Sequence, residues 1–176
     1  MSPADGSQPP VAEELVGIID ESGREVDAVP RSVMRQHNLL HRATAVVVRD
    51  SAGRIYVHRR TATKDVYPGM YDCCAGGVVA AGEHVDAAAR RELAEELGID
   101  GVELTPLFVA MYADEHTRYQ AHVYEARWDG PIRWQATEVA WGAWLTPAEL
   151  RTLLDDGDRR FVPDSRALLA HWFPQE

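Results

Sequence analysis

The stretch that decides the fold runs from Gly77 to Ile99 and reads GVVAAGEHVDAAARRELAEELGI. From Val85 to Leu97 it is dense in Ala, Leu, Glu and Arg, all good helix formers, and Gly98 stands where a C-terminal cap belongs. The spacing predicts a helix over 85–97 whose buried face carries Ala89, Leu93 and Leu97. Glu92 and Glu96 have the same four-residue spacing, so their carboxylates share one strip of the helix, with Glu95 beside them. Like-charged pairs of this kind cost roughly 0.2–0.5 kcal/mol each in a bare helix. These acids also crowd the C-terminal end, where the helix dipole disfavours negative charge. Arg91, four residues before Glu95, offsets part of the repulsion.

An arrangement that an isolated helix would avoid points to a ligand. Hard divalent cations such as Mg²⁺ or Mn²⁺ take one or two carboxylates and complete their octahedron with water and phosphate oxygens. For the acidic cluster taken alone, a solvated charge run is the alternative. The glycines add to the first reading. Gly76-Gly77 ends a predicted strand, and the Gly77 carbonyl is expected to face a metal with no side chain in the way. Gly82 eases the turn into Glu83, which stands near the helix start, where its charge is favoured.

A chain of 176 residues suits one globular domain with a sizeable core. A net charge of −10 sets it against nucleic acid and anionic membrane, so an anionic substrate would need a cation as escort. Cys73 and Cys74 are adjacent and would close no useful loop, which points to a reducing cytoplasm. The start, MSPADGSQPP, lacks the basic and apolar regions of a signal peptide, and no apolar run approaches a membrane span. Residues 1–11 are expected to be disordered, and 12–176 to form the domain.

Residues 14–19 and 25–29 flank the turn Asp20-Glu21-Ser22-Gly23-Arg24 and read as a hairpin, followed by a short helix over 31–38. Ala43–Val48 and Arg54–Arg59, joined by Asp50-Ser51-Ala52-Gly53, read as a second hairpin. Long strands are expected over 102–112 and 118–127, and another over 139–145. Thr146-Pro147-Ala148-Glu149 supplies an N-cap, a first-turn proline and a reciprocal glutamate for a helix burying Leu150, Leu153 and Leu154. Pro163-Asp164 opens a last helix with a Leu168, Leu169, Trp172 stripe. Strands interrupted by helices around a mixed sheet give the α+β class.

The glycine, five residues, Glu83, seven residues, then Arg91-Glu92-Leu93-x-Glu95-Glu96-x-Gly98-Ile99 reproduce the Nudix box, and the chain resembles the Nudix hydrolases. Tyr67-Pro68-Gly69-Met70-Tyr71-Asp72 is similar to the family's lead-in strand. His41-Arg42-Ala43, Arg59-Arg60, Lys64 and the Thr146-Pro147 helix extend the likeness to the bacterial YfcD-type subgroup, near the isopentenyl-diphosphate isomerases. The resemblance implies an α/β/α sandwich with a mixed sheet and an N-terminal hairpin extension. It also implies Mg²⁺- or Mn²⁺-dependent hydrolysis of a small-molecule diphosphate, a nucleoside diphosphate linked to another group. Glu92 and Glu96 would be the principal metal ligands, Glu95 a ligand or water-activating base, and Gly77 a carbonyl ligand. Arg91 would orient Glu95, while Glu83 and Gly98 would be structural. A homodimer is compatible with the likeness, which leaves the oligomeric state open.

Several family members recruit the general base from outside the box. Glu138, before the strand carrying Trp141 and Trp144, is the first candidate for base or extra ligand, and Glu115 the second. Arg59, Arg60 and Lys64 are candidate phosphate contacts. Neighbouring strand positions point to opposite faces, so Arg59 and Arg60 do not both face one site. Two other functions compete: a sensing module that binds a nucleotide ligand without cleaving it, and an isopentenyl-diphosphate isomerase. Counting from Pro68-Gly69, the isomerase's catalytic cysteine falls on Gly76 and a metal histidine on Val78, leaving only His41 in place. Cys73 and Cys74 are accordingly read as small core or pocket-wall residues.

Overall fold

The computed structural model describes residues 13–157 and 160–172; the expectation for residues 1–11 lies outside them. The order is β1 (Leu15–Ile19), β2 (Glu25–Pro30), α1 (Arg31–Gln36), β3 (His41–Arg49), β4 (Ile55–Arg60), β5 (Tyr71–Asp72) and β6 (Cys74–Ala75). There follow α2 (Val85–Leu97), β7 (Leu104–Ala113), β8 (Arg118–Arg127), β9 (Val139–Leu145), α3 (Pro147–Asp155) and α4 (Pro163–Trp172).

β3 is the hinge of the architecture. Its run Ala45-Val46-Val47-Val48 is buried without alternation, as a strand covered on both faces requires. Ala43, Ala45 and Val47 join Ala121 and Val123 of β8 beneath Leu150, Leu153, Leu168 and Leu169 of α3 and α4. On the opposite face Val46 and Val48 join Tyr124 and Ala126 beneath Ala89, Leu93 and Leu97 of α2. Helices therefore cover both sides of a mixed sheet, giving the α/β/α sandwich. β3 runs parallel to β8 in unbroken register from His41 opposite Tyr119 to Arg49 opposite Arg127. β7 flanks β8 antiparallel, and β6 pairs with the other edge of β3.

The expected second hairpin requires correction. Its turn forms, but β3 and β4 pair only where Arg49 meets Ile55. β4 then leaves to pair with β9 and β5, so the two strands enter different parts of a curled sheet. The edge of β3 along which β4 would continue is occupied by β6, with Val46 opposite Ala75 and Val47 opposite Cys74, while β8 holds the other edge. The N-terminal hairpin does form, with β1 against β2, and Met34 of α1 packs onto Val16 and Val78.

Local chemistry sets the helices where they are needed. His84 accepts the Asp86 amide at 3.3 Å to open α2, and Gly98 closes it in the left-handed region at φ 66°, its amide on Ala94 O. Thr146 and Glu149 form a reciprocal capping box at the start of α3. Cys73 and Cys74 are both buried in the core. No helix among the described residues is long and apolar enough to cross a membrane.

Candidate active site

Because Leu93 and Leu97 are fixed in the core, the acidic strip of α2 is turned toward the Gly76-Gly77 segment after β6. Glu96 is only 5% exposed; its Oε2 accepts the Gly76 amide at 3.2 Å. Glu92 lies against Gly77 so closely that a Cβ there would stand 2.6 Å from its carboxylate. Burial holds the Glu92 carboxyl above the usual range, and pushes Glu96 up to about 7 against the opposing pull of Lys64. Glu95 is the solvent-facing member of the strip.

Arg91 organises the helix face. It grips Glu83 with Nε and Nη2 at 3.0 and 2.9 Å, donates to Glu92 at 2.7 Å, and stands 3.5 Å from Glu95. The fork on Glu83 lowers that carboxyl below its ordinary value. Arg91 is thus bonded to Glu83 and Glu92 more closely than to Glu95. The Gly77 carbonyl is turned to β3, where it accepts the Thr44 amide at 2.9 Å. Gly77 also makes room for Glu92 by lacking a side chain.

Opposite the strip, the loop before β9 docks on the end of α2. The Arg133 and Gln135 amides donate to Leu97 O and Glu96 O, and the Glu138 amide donates to Gln135 O. Those bonds satisfy carbonyls that a helix end leaves orphaned. They also bring Glu138 to the Lys64 ammonium, which lies 3.6 Å from Glu96 as well. The Lys64 loop is tied in turn through the Thr61 amide on Glu138 O. The result is a cleft of about 340 Å³ lined by Glu92, Glu95, Glu96, Glu138, Lys64 and Arg91, among others.

Of the other sequence candidates, Arg59 is exposed and lines neither this cleft nor its neighbour, and Glu115 is exposed on the β7–β8 turn. Arg60 points inward, holds Val66 O at 3.0–3.2 Å and stands 3.6 Å from Asp72. A second cavity of about 110 Å³ adjoins the cleft, and Arg31, Lys64, Gly76 and Gly77 belong to both walls. Its lining includes Arg35, Asp65, Asp72 and Asp164, none of which sequence reading marked as a site residue. Arg31 and Arg35, four apart on a short helix and so on one face, were the available signal.

His41 also lines that second cavity, 1% exposed, with Nδ1 2.9 Å from Leu39 O. Burial lowers its pKa from 6.5 to about 4. Between those values the unfolded chain binds a proton that the folded one refuses, so this histidine's contribution to stability falls as pH falls through the window. The full difference is about 3 kcal/mol. Asp164, pushed up to about 6 by burial, works in the opposite sense. Comparing wild type with His41→Gln removes the aspartate's effect. Urea unfolding should show the wild type's advantage at pH 7 shrinking by about 2–3 kcal/mol toward pH 4; a constant gap contradicts the assignment.

Residues 39–165 match the family model described as the NUDIX domain. The chain belongs to the Nudix family. It is a Nudix hydrolase, 44% identical over 171 residues to the uncharacterized Nudix hydrolase orf19 of Rhodococcus erythropolis, covering 92% of each chain. It is 42% identical to the uncharacterized Nudix hydrolase YfcD of Escherichia coli (strain K12), covering 90% of this chain and 86% of that one. Among solved structures it is similar to DR0079 from Deinococcus radiodurans, with TM-score 0.73 and 25% identity over 88% of this chain and 96% of that one. The fold alone is shared with the NUDIX domain of Shewanella oneidensis NrtR complexed with ADP ribose, at TM-score 0.58 and 15% identity, over 73% of this chain and 82% of that one. Nudix hydrolases act on nucleoside diphosphate-linked substrates and generally use divalent metal cations.

Proposed function

We propose that this Nudix hydrolase cleaves the diphosphate bond of a nucleoside diphosphate linked to another group, with Mg²⁺ or Mn²⁺ held by Glu92, Glu95 and Glu96. The observation that carries the reading is the buried Glu96 carboxylate, facing Lys64 and joined across the cleft by Glu138. The donor set suits a hard cation, since every candidate ligand is an oxygen, from the carboxylates or from the Gly77 carbonyl. Lys64 already supplies one positive charge at that place, and the burial that raises the Glu92 and Glu96 carboxyls marks negative charge short of compensation. A bound cation would screen the phosphate charge and acidify an attacking water.

The remaining work falls to the chain's own residues. Glu138 takes the proton from the water whose oxygen joins one phosphorus, while the bridging oxygen leaves with the other phosphate, so that two phosphate esters result. Glu95, at the open edge of the strip, supports the cation or the water. Lys64 orients Glu138 and, with Arg60, receives substrate phosphate oxygens. Arg91 and Glu83 brace Glu92 from behind the helix face. A sensing module has no use for three crowded acids, and the isomerase reading lacks its cysteine and keeps only His41 of its metal histidines.

The test is product release from a panel of nucleoside diphosphate derivatives with Mg²⁺, Mn²⁺ or EDTA. Two phosphate products that appear with metal and vanish with EDTA are expected. Ligand binding without release under any metal condition would favour the sensing module.

A further inference from the structure

The cavity beside the acidic cleft carries two cations that the reaction does not use, Arg31 and Arg35, beside two that it does, Lys64 and Arg60. Arg31 and Arg35 stand on one face of α1, and Lys64 and Asp65 follow one another in the β4–β5 loop. Arg31 and Arg35 both reach Asp65 and neither holds it well, while Arg31 Nη1 also donates to Glu14 Oε2 at 3.2 Å. Arg31 Nη2 is 3.9 Å from Asp65 Oδ2, and Arg35 Nε is 3.4 Å from the same oxygen. Arg35 Nε is buried and makes no hydrogen bond among the described residues, although Arg35 Nη1 donates to Thr117 Oγ1 at 3.3 Å. A buried guanidinium nitrogen whose nearest carboxylate makes no hydrogen bond to it is uncommon and calls for an explanation.

The acids on the cavity floor do not supply one. Asp72 Oδ1 accepts from the Cys74 amide and from Ser165 Oγ. Asp164 accepts from Tyr119 and from the Ser165 amide. Their oxygens are engaged with their own neighbours. Asp65, by contrast, sits with half its side chain in solvent and can be displaced at little cost.

We propose that Arg31, Arg35 and Lys64 form a subsite for a further phosphate group of the substrate, one beyond the diphosphate that is cleaved, with Asp65 holding the place until the phosphate arrives. The inference rests on the diphosphate reading above and deepens it. Arg31 and Lys64 line both cavities, so one ligand can lie across them. A phosphate dianion fits better than a carboxylate. A ligand carboxylate would offer no more than Asp65 already gives from within the chain, whereas a dianion adds charge and acceptor oxygens in more directions. A cavity of about 110 Å³ also has room for a phosphate. The substrate class is therefore a triphosphate, or a diphosphate whose linked group is itself phosphorylated.

Inorganic phosphate is the probe, titrated calorimetrically into the full chain in EDTA, where no divalent cation takes part. Saturable binding by wild type is expected, about 10-fold weaker in Arg35→Gln and several-fold tighter in Asp65→Asn. Glu96→Gln should bind phosphate at least as well as wild type. Circular dichroism verifies that each variant is folded, and Arg35→Lys should recover part of the affinity if charge is what counts. Absence of binding by wild type, equal affinity in Arg35→Gln and Asp65→Asn, or displacement of phosphate by equimolar succinate would each overturn the proposal. With substrates, Arg35→Gln should raise KM about 10-fold for a nucleoside triphosphate or for a sugar-phosphorylated nucleoside diphosphate sugar, but not for the unphosphorylated sugar compound. Which of the first two responds identifies the source of the phosphate. Phosphate binding without any diphosphate turnover would remove the hydrolase reading alone; turnover indifferent to Arg35 would remove the subsite alone.

Discussion

Replacing Glu96 by glutamine is expected to lower turnover by at least ~10²-fold while the protein stays folded. Two observations separate these effects. The carboxylate is 5% exposed and pushed up to about 7 by burial, so its charge is a burden on the folded state that glutamine lifts. Glutamine can still accept the Gly76 amide through its carbonyl oxygen, which preserves the contact between α2 and the segment after β6. The melting temperature should therefore equal or exceed that of wild type even as catalysis is lost. Near-normal rate would remove Glu96 from the reaction. A large fall in melting temperature would show that the residue is structural.

The second large effect concerns adjacent glycines with opposite consequences. A Cβ on Gly76 would stand 2.0 Å from the backbone oxygen of Thr44, in the middle of β3, where neither partner can yield without breaking the sheet. Gly76→Ala should destabilise the fold by about 3 kcal/mol or more. A Cβ on Gly77 would meet the end of the Glu92 side chain instead, at 2.6 Å. That side chain can move. Gly77→Ala should fold with a loss of about 1 kcal/mol or less and still reduce kcat about 10-fold or more, because Glu92 is displaced from the cleft. Urea unfolding and steady-state rates on the two variants decide the matter; equal stability losses would contradict the assigned geometry.

Helix α2 and its C-terminal cap were legible because their signals are local: helix-forming composition, a glycine at the cap position, leucines at four-residue spacing. The capping box of α3 was legible for the same reason. The partner of β3 was not, because Ala45–Val48 looks equally apolar in a hairpin and in a strand covered on both faces. Pairing with β8 is decided by packing between residues far apart in the chain. At the site, the box acids announced themselves through crowding against the helix dipole. Glu138 could be proposed from the family's habits, but its meeting with Lys64 depends on two loops tied together by backbone bonds at Thr61 and Gln135. The Arg31–Arg35–Asp65 group likewise joins a short helix to a loop through space.

The role of the acidic cleft is tested most directly by Mn²⁺ binding, followed through the loss of the free ion's paramagnetic resonance signal at neutral pH. Stoichiometric binding by wild type that weakens at least about 10-fold in Glu96→Gln is the predicted result. Binding of unchanged strength in that variant, or no binding by wild type, would contradict a cation site at Glu92, Glu95 and Glu96.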